Sequence, residues 1–596
     1  MPIESRFSVS VPSCSIQQWI FGSPSGPLPD QKAFIDADNP EQRYFTYNQA
    51  RLFAKRIAVG LINNGLQPGD RVLLFASNSL FFPVIVMGIW MAGGIFTGAN
   101  PGYVTRELAH QLQDSEASFV VAAESGMEVA LAAASQVGIK ASQVFLLDST
   151  WPNSPVETQP REGSRHWTEL IASKPEGKRF EWTEPNDSNN SVCSLNYSSG
   201  TTGIPKGVEI SHYNHVANSC GVTLFHKLHP DYEARRQRAA ALCFLPMYHA
   251  FSQGYFITSF PCERVPVYIM PSFDFPKMLA HIQNFRITKL LAVPPILVLM
   301  SKHPLARRAD LSSIDMIASG AAPLAKDTQR EIARMIPEGE SVVRQGWGMT
   351  EATCTALSWD PNKAPSSAAG ELTPDSKARL IHIETGEEIT TANTPGELWI
   401  TGPTVMRGYW RNPSATRSAF VTDSEGTRWL RTGDVAYVEE YAKGSLFHIV
   451  DRVKELIKVK GMQVAPAELE SLLLEREDVA DAAVVGVMVN GEELPRAYVV
   501  RSANTKDTSE QDIADWLASR VIRYKQLKGG VVFVDAIPKV PSGKILRQAL
   551  RERAKREVSN GLETSLRKRW SVKYEQIDKE GMSRLVTEEF FFLGPD

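Results

Sequence analysis

Apolar positions along this chain recur with two periods. In "YNQARLFAKRIAVGLINNG" they return at helical spacing and the run stops at Asn-Gly, after which "PGDRVLLFA" is a short β-type run. No charged residue lies between Arg71 and Arg106, and "LFFPVIVMGIWMAGGIFTGA" (Leu80 to Ala99) is long enough to span a bilayer. Pro83, Gly88, Gly93, Gly94 and Gly98 interrupt it, however, and a buried helix followed by a buried parallel strand has the same pattern. The core reading is therefore expected. Further strands are predicted at "KLLAVPP", "IDMIASG", "ELWITG" and "LFHIVDR", several ending in Gly or Pro where ligand loops sit in parallel sheets. This alternation predicts an α/β architecture with parallel sheets. Beyond Asp451 the elements shorten: a helix in "APAELESLLLE" with Pro466 in its first turn, strands "DAAVVGVMV" and "RAYVV", a helix opened by Ser509 and Asp512, and a strand in "GGVVFVDAIP". This predicts a compact α+β unit with a boundary near Asp451 to Lys454.

A chain of 596 residues exceeds what one core usually serves, so at least two domains are expected. A net charge of −3 and a pI near 6.5 leave no electrostatic footprint for nucleic acid or an anionic membrane. The six cysteines (14, 193, 220, 243, 262 and 354) form no C-x-x-C pair, which argues against a zinc site or a disulfide framework and suits a reducing compartment. The first residues lack a basic region followed by an uninterrupted apolar run, so no secretory signal is expected.

The segment "YSSGTTGIPKGVEISH" (Tyr197 to His212) concentrates hydroxyls, glycines and one lysine between two β-type runs. It is not a Walker loop: counted from Gly200, the second glycine would be Pro205 and the Ser/Thr would be Gly207. Its chemistry still suits phosphate, because glycines let backbone N–H groups approach, hydroxyls donate and Lys206 supplies charge. Six more segments accompany it: "LPMYHAF", "SGAAPL", "QGWGMTEA", "RTGD", "DRVKELIKVKGMQVAPAELE" and "PSGKILR". In this order, from roughly Phe45 to Arg551, they resemble the acyl-adenylate-forming superfamily, with the 4-coumarate:CoA ligase-like branch nearest.

The resemblance implies a large N-terminal domain (1–450) of parallel-rich sheets with packed helices plus a β-barrel-like subdomain, and a small mobile α+β domain (451–551). It implies ATP, Mg2+ and coenzyme A, and two steps: a carboxylate attacks the α-phosphate of ATP to give acyl-AMP, and a thiol then displaces AMP. Ser198, Ser199, Gly200, Thr201, Thr202, Gly203 and Lys206 match the triphosphate loop. Gly320, Ala321 and Ala322 match the adenine wall, Trp347 is to stack on the purine, and Gln345, Gly346 and Gly348 surround it. Asp434 and Arg452 match ribose and phosphate contacts, Thr350 an α-phosphate contact, and Glu351 the magnesium ligand. Lys544 is to bridge carboxylate and α-phosphate, whereas Lys458, Lys460, Gly461 and Gln463 belong to the thiol-transfer face. His249 matches a gating aromatic rather than a general base.

The acyl slot is expected from Tyr248, His249, Ser252, Lys302, Gly320, Gly346, Trp347, Met349 and the segment Thr353 to Leu357, mostly apolar and open to an aryl-propenoate, an aryl-acetate or a medium-chain fatty acid. An acyl carrier protein is the alternative thiol donor. Neither a nucleic acid nor an integral membrane span is expected. Residues 552–596 mix charges of both signs without a sustained period, so they are expected to pack poorly and touch no catalytic group. A cytoplasmic location follows, or a peroxisomal one should the tail differ from the native end.

Overall fold

Two parallel-rich sheets sandwich the uncharged segment in the computed structural model, which describes the chain apart from residues 1, 152–153, 155–157, 162, 199–204, 338, 340–341, 461, 490–491, 503–507, 541–542 and 559–596. The first sheet has seven strands in the order Lys206–Ser211, Val192–Ser198, Ile95–Gly98, Arg71–Phe75, Ala117–Ala123, Val144–Leu147 and Arg165–His166. Only its first pair is antiparallel, with Lys206 opposite Ser198. The hydroxyl-rich loop thus joins the edge strand to its neighbour and opens no helix, as its flanks predicted.

The second sheet runs Val343–Gln345, Met316–Ser319, Lys289–Ala292, Ala241–Cys243, Val267–Ile269, Lys32–Asp36 and Tyr44–Thr46, parallel until the last pair. The carboxyl ends of neighbouring strands therefore deliver Ser319 and Gln345 side by side, the usual place for a ligand in such sheets.

One core fills the space between the sheets, contributed by Leu74 and Phe96 from the first and Leu242, Leu290 and Ile317 from the second. The uncharged segment lies within it: helix Phe82–Met91 is buried on every side and strand Ile95–Gly98 follows. A helix without a polar face has to be surrounded by protein. Gly88 permits its close approach to helix Tyr47–Asn63, since a Cβ there would meet the Ile57 side chain at 2.7 Å and the Ala54 carbonyl at 3.0 Å. Among the described residues no helix is long and apolar enough to cross a membrane.

The third sheet is antiparallel and also seven-stranded, passing from Ile3–Glu4 through Lys377–Ile381, Gly396–Thr401 and Arg428–Val438 to Phe420–Thr422, with Glu388–Ile389 and Phe447–Arg452 on its flanks. It has its own apolar cluster around Leu380, Leu398 and Phe447, and it takes the place expected for the barrel-like subdomain.

Strand Phe447–Arg452 still pairs with Arg428–Val438, so the last unit begins after it. That unit holds the hairpin Ile457–Val459/Met462–Val464, helix Pro466–Leu474, the sheet of Val479–Val489, Glu492–Arg501 and Val531–Phe533, and helix Glu510–Ala518 with its Ser509/Asp512 capping box. The final helix runs over 547–558, past the point where the chain was expected to lose packing. Ala554 is fully buried beside Leu550 and Tyr498, while Glu557 accepts from Arg496 and from the Tyr498 hydroxyl. Residues 552–558 are thus packed, because their apolar positions continue the spacing of Leu550; residues 559–596 lie outside the described part.

Candidate active site

A cavity of about 680 Å³ opens between the strand ends of the second sheet, the third sheet and the C-terminal unit. Ala321, Ala322, Gln345, Gly346, Trp347, Gly348, Asp434, Arg452 and Lys544 all line it. The structure therefore brings together residues from five separate sequence motifs. Gln345 spends its side chain on construction: Oε1 accepts from the Leu324 backbone N–H at 2.6 Å and Nε2 donates to the Ser367 carbonyl at 3.0 Å, which holds the "SGAAPL" loop against the strand end. Ala321 has a left-handed backbone, with φ of 72°, a strained conformation for a residue with a Cβ. Gly320 does not itself line the cavity, and a Cβ there would press on the Phe251 ring at 3.3 Å. Gly348 admits no side chain at all, since a Cβ would lie 1.6 Å from the Cys354 carbonyl oxygen.

Asp434 sits at the centre of this group and is buried. The Trp347 indole N–H donates to its Oδ2 at 2.9 Å, and the Arg452 guanidinium lies 3.3 Å from Oδ1. Burial raises the carboxyl above its usual range, opposed by Arg452, by the Trp347 hydrogen bond and by Lys544. Lys544 follows a Gly543 turn with φ of 82° and enters the same cavity. Burial, with Arg452 next in effect, lowers its ammonium to about 8, while Asp434 acts in the opposite sense. His249 is near enough to feel Lys544; burial first, then that charge, lowers the imidazole to about 4. Its Nδ1 accepts from the Phe251 backbone N–H at 3.3 Å, so it is a neutral ring held by the chain and is not set up as a base.

Around Glu351, the Tyr409 hydroxyl donates to Glu351 Oε1 at 3.0 Å, and Lys206 Nζ lies 4.9 Å from the centre of the Tyr409 ring. Glu351 is buried, in the short turn Thr350–Ala352 that also carries Thr350. Tyr409 thus ties the motif of Lys206 to that of Glu351. It escaped sequence reasoning, although an aromatic in "RGYWRNP", a segment rich in Gly, Asn and Pro, was a usable signal. Ser198 ends the strand before the loop, its hydroxyl buried and without a hydrogen-bond partner among the described residues. Ser199, Gly200, Thr201, Thr202 and Gly203 lie outside the described residues, as does Gly461.

A second cavity of about 150 Å³ meets the first at Gln345 and Gly346, which line both. Its walls are largely apolar and aromatic, from Ala318, Tyr255, Phe260, Leu357, Phe225 and Trp359. Its far end is polar: His226 Nδ1 lies 2.9 Å from the buried Glu263 carboxylate, with Lys289 and Asp315 paired nearby at 2.8 Å. The acyl-slot expectations need correction here. Tyr248, His249, Ser252, Gly320 and Met349 line neither cavity. Met349 packs against the core of the third sheet, the cluster to which Trp347 also belongs. Lys302 lines the first cavity, yet its ammonium is committed to backbone carbonyls of the C-terminal unit. Of Thr353 to Leu357 only Leu357 reaches the second cavity, while the Thr355 hydroxyl donates to the Tyr255 hydroxyl at 3.2 Å.

The residues expected on the thiol-transfer face stand apart. Lys458, Lys460 and Gln463 occupy the hairpin Ile457–Val459/Met462–Val464 and line neither cavity; Lys460 pairs with Glu492 at 3.1 Å. One domain thus presents Lys544 inward and this hairpin elsewhere. Two pairings at the junction were not foreseen: the Asp451 carboxylate accepts from the Ala467 N–H at 3.0 Å, and Arg547 grips Glu470 with two hydrogen bonds of 2.5 and 2.9 Å. Their charges are ordinary in sequence, and only the fold makes them partners.

Comparison with known proteins gives the family. The chain is 35% identical over 563 residues to a phenylacetyl-CoA ligase of Aspergillus niger, covering 93% of this chain and 99% of that one. It is 35% identical over 526 residues to a 4-coumarate–CoA ligase of Pinus taeda, covering 87% and 91%. Among solved structures, ATP-bound MatB from Rhodopseudomonas palustris superposes with a TM-score of 0.76 at 27% identity, covering 91% of this chain and 99% of that one. Residues 26–410 match the AMP-binding enzyme family and residues 468–544 match the C-terminal domain of AMP-binding enzymes, so the chain belongs to the AMP-binding enzyme family.

Proposed function

We propose that the protein is an AMP-forming acid–CoA ligase acting on an aryl acid, an arylacetate or an aryl-propenoate. The observation that carries this is the junction of the two cavities at Gln345 and Gly346, beside Lys544: a nucleotide site with a lysine at its centre opens directly onto an aromatic-walled slot. About 150 Å³ suits one ring on a short chain, and the polar far end suits a ring substituent more than an alkyl terminus. The names of the two ligases described above point the same way.

In the first step a carboxylate oxygen attacks the α-phosphorus, the bond to the bridging oxygen breaks, and pyrophosphate leaves. Two anions have to meet, so the gain comes from oriented cations. Lys544 faces both, Arg452 and Asp434 hold the ribose side, Trp347 presents its ring to the adenine, and Lys206 with Ser198 and the loop after it takes the terminal phosphates. Glu351 would hold the magnesium ion of this reading, which would supply charge neutralisation to the phosphates. One buried carboxylate whose other partner is a phenol fits a hard cation that arrives with the nucleotide. Among the described residues no group of three or more His, Cys, Asp or Glu could hold a metal without it. In the second step the thiol of coenzyme A attacks the acyl carbon and AMP departs, with Lys458, Gly461 and Gln463 brought to the site. The six free cysteines suit the cytoplasm.

Carboxylate-dependent ATP–pyrophosphate exchange over a panel of acids, repeated with coenzyme A, tests this. Exchange with phenylacetate or 4-coumarate and formation of a thioester are expected. Exchange with octanoate alone would remove the aryl assignment, an adenylate that coenzyme A does not consume would favour a carrier-protein thiol, and no exchange with any acid would end the ligase reading.

A further inference from the structure

Helix Pro294–Lys302 spans the wall of the first cavity and meets the C-terminal unit at both of its ends. At its start, Gly543 packs so closely that a Cβ there would lie 2.9 Å from the Val293 side chain and 3.6 Å from Pro295. At its end, the Lys302 ammonium donates to the carbonyls of Leu474 at 3.1 Å, Arg476 at 3.3 Å and Val479 at 2.7 Å. An ammonium has three protons, and three acceptors take them. Leu474 closes helix Pro466–Leu474, whose last carbonyls lack partners in their own helix and carry its partial negative charge. A helix of nine residues separates its ends by roughly 13 Å. Two contacts at that separation fix direction as well as position, and one of them is the turn that carries Lys544.

We propose that Lys302 is a positioning residue for adenylate formation: it docks the C-terminal domain so that Lys544 stands in the nucleotide cavity. The inference rests on the ligase reading. Because the hairpin of Lys458 and Gln463 lies away from the cavity, the second step needs this docking undone. Lys302 therefore serves one half-reaction and not the other. Lys302→Met removes the donors and keeps the aliphatic stem, while Lys302→Arg keeps the charge.

In Lys302→Met, phenylacetate-dependent pyrophosphate exchange should fall about tenfold or more, since fewer molecules hold Lys544 in place. Thioester formation from supplied phenylacetyl-AMP and coenzyme A should stay within about twofold or rise, and Lys302→Arg should recover part of the exchange. Amides 543–546 should show faster hydrogen–deuterium exchange in ligand-free Lys302→Met than in the parent protein. Exchange kept within about twofold, or equal loss in both half-reactions, would overturn the proposal. Should the parent protein activate no acid, the ligase reading fails by itself, and unchanged amide exchange at 543–546 then overturns this one separately.

Discussion

Lys544 is placed to lose its proton within the working range of pH. Burial disfavours its charged form and brings it to about 8 in the free protein, so the ammonium needed opposite two anions is present below that pH and lost as pH rises through it. For pyrophosphate exchange, kcat/KM for ATP should fall above pH 8, whereas kcat should hold to higher pH because bound phosphates favour the ammonium. A profile of kcat/KM that stays flat to pH 10 would contradict this. Lys544→Ala should cost on the order of a hundredfold in exchange while sparing thioester formation from supplied acyl-AMP. Trp347 supports a second prediction: its N–H is one of the groups that hold the buried Asp434 charged. Trp347→Phe keeps the ring and deletes that donor, which is worth about 1.5–3 kcal/mol at a charged acceptor. KM for ATP should rise about tenfold or more in steady-state kinetics, with far-UV circular dichroism unchanged.

The junction elements of the C-terminal unit are held by buried charge. Arg547, at the start of helix 547–558, grips Glu470 of helix Pro466–Leu474, and Glu470 also accepts from the Val484 N–H at 2.7 Å. Removing the cation leaves a buried carboxylate half-satisfied, a change that costs about 3–5 kcal/mol. Arg547→Met should therefore lower the midpoint of thermal unfolding clearly. Arg547→Met combined with Glu470→Gln should recover part of the loss, because the uncompensated charge is gone. Helix Pro466–Leu474 is tied at its other end to the Asp451 carboxylate, which burial raises to about 6. A carboxyl whose folded value exceeds its unfolded one gains stability as pH falls through 6, so the parent protein should gain on Asp451→Asn between pH 7 and 5.

Across the whole molecule, the C-terminal boundary has a measurable consequence. A chain ending at 551 loses the burial of Ala554 and the contacts of Glu557 with Arg496 and Tyr498. Together these are worth roughly 2–3 kcal/mol. A chain ending at 558 keeps every described contact. Both half-reactions should stay within about twofold for the 558 form, and the 551 form should unfold at lower temperature. Equal midpoints for the two would show that the last helical turns contribute nothing.

Periodicity and motif order determined much of this protein. The burial of Leu80 to Ala99, the strands of "IDMIASG" and "ELWITG", the strand-flanked setting of the hydroxyl-rich loop and the gathering of Asp434, Trp347 and Lys544 were all legible, because each depends on local pattern or on residues kept in fixed sequence context. Tertiary structure alone decided the rest. Lys302 was expected in the acyl slot, yet its ammonium found carbonyls more than 170 residues away. Met349 left the slot because it packs against the third-sheet core that also holds Trp347. Tyr409, Glu470 and Arg547 became partners through packing that no local spacing encodes. Charges and hydroxyls satisfy one another wherever the fold brings donor to acceptor, and that pairing is a property of distance in space, not along the chain.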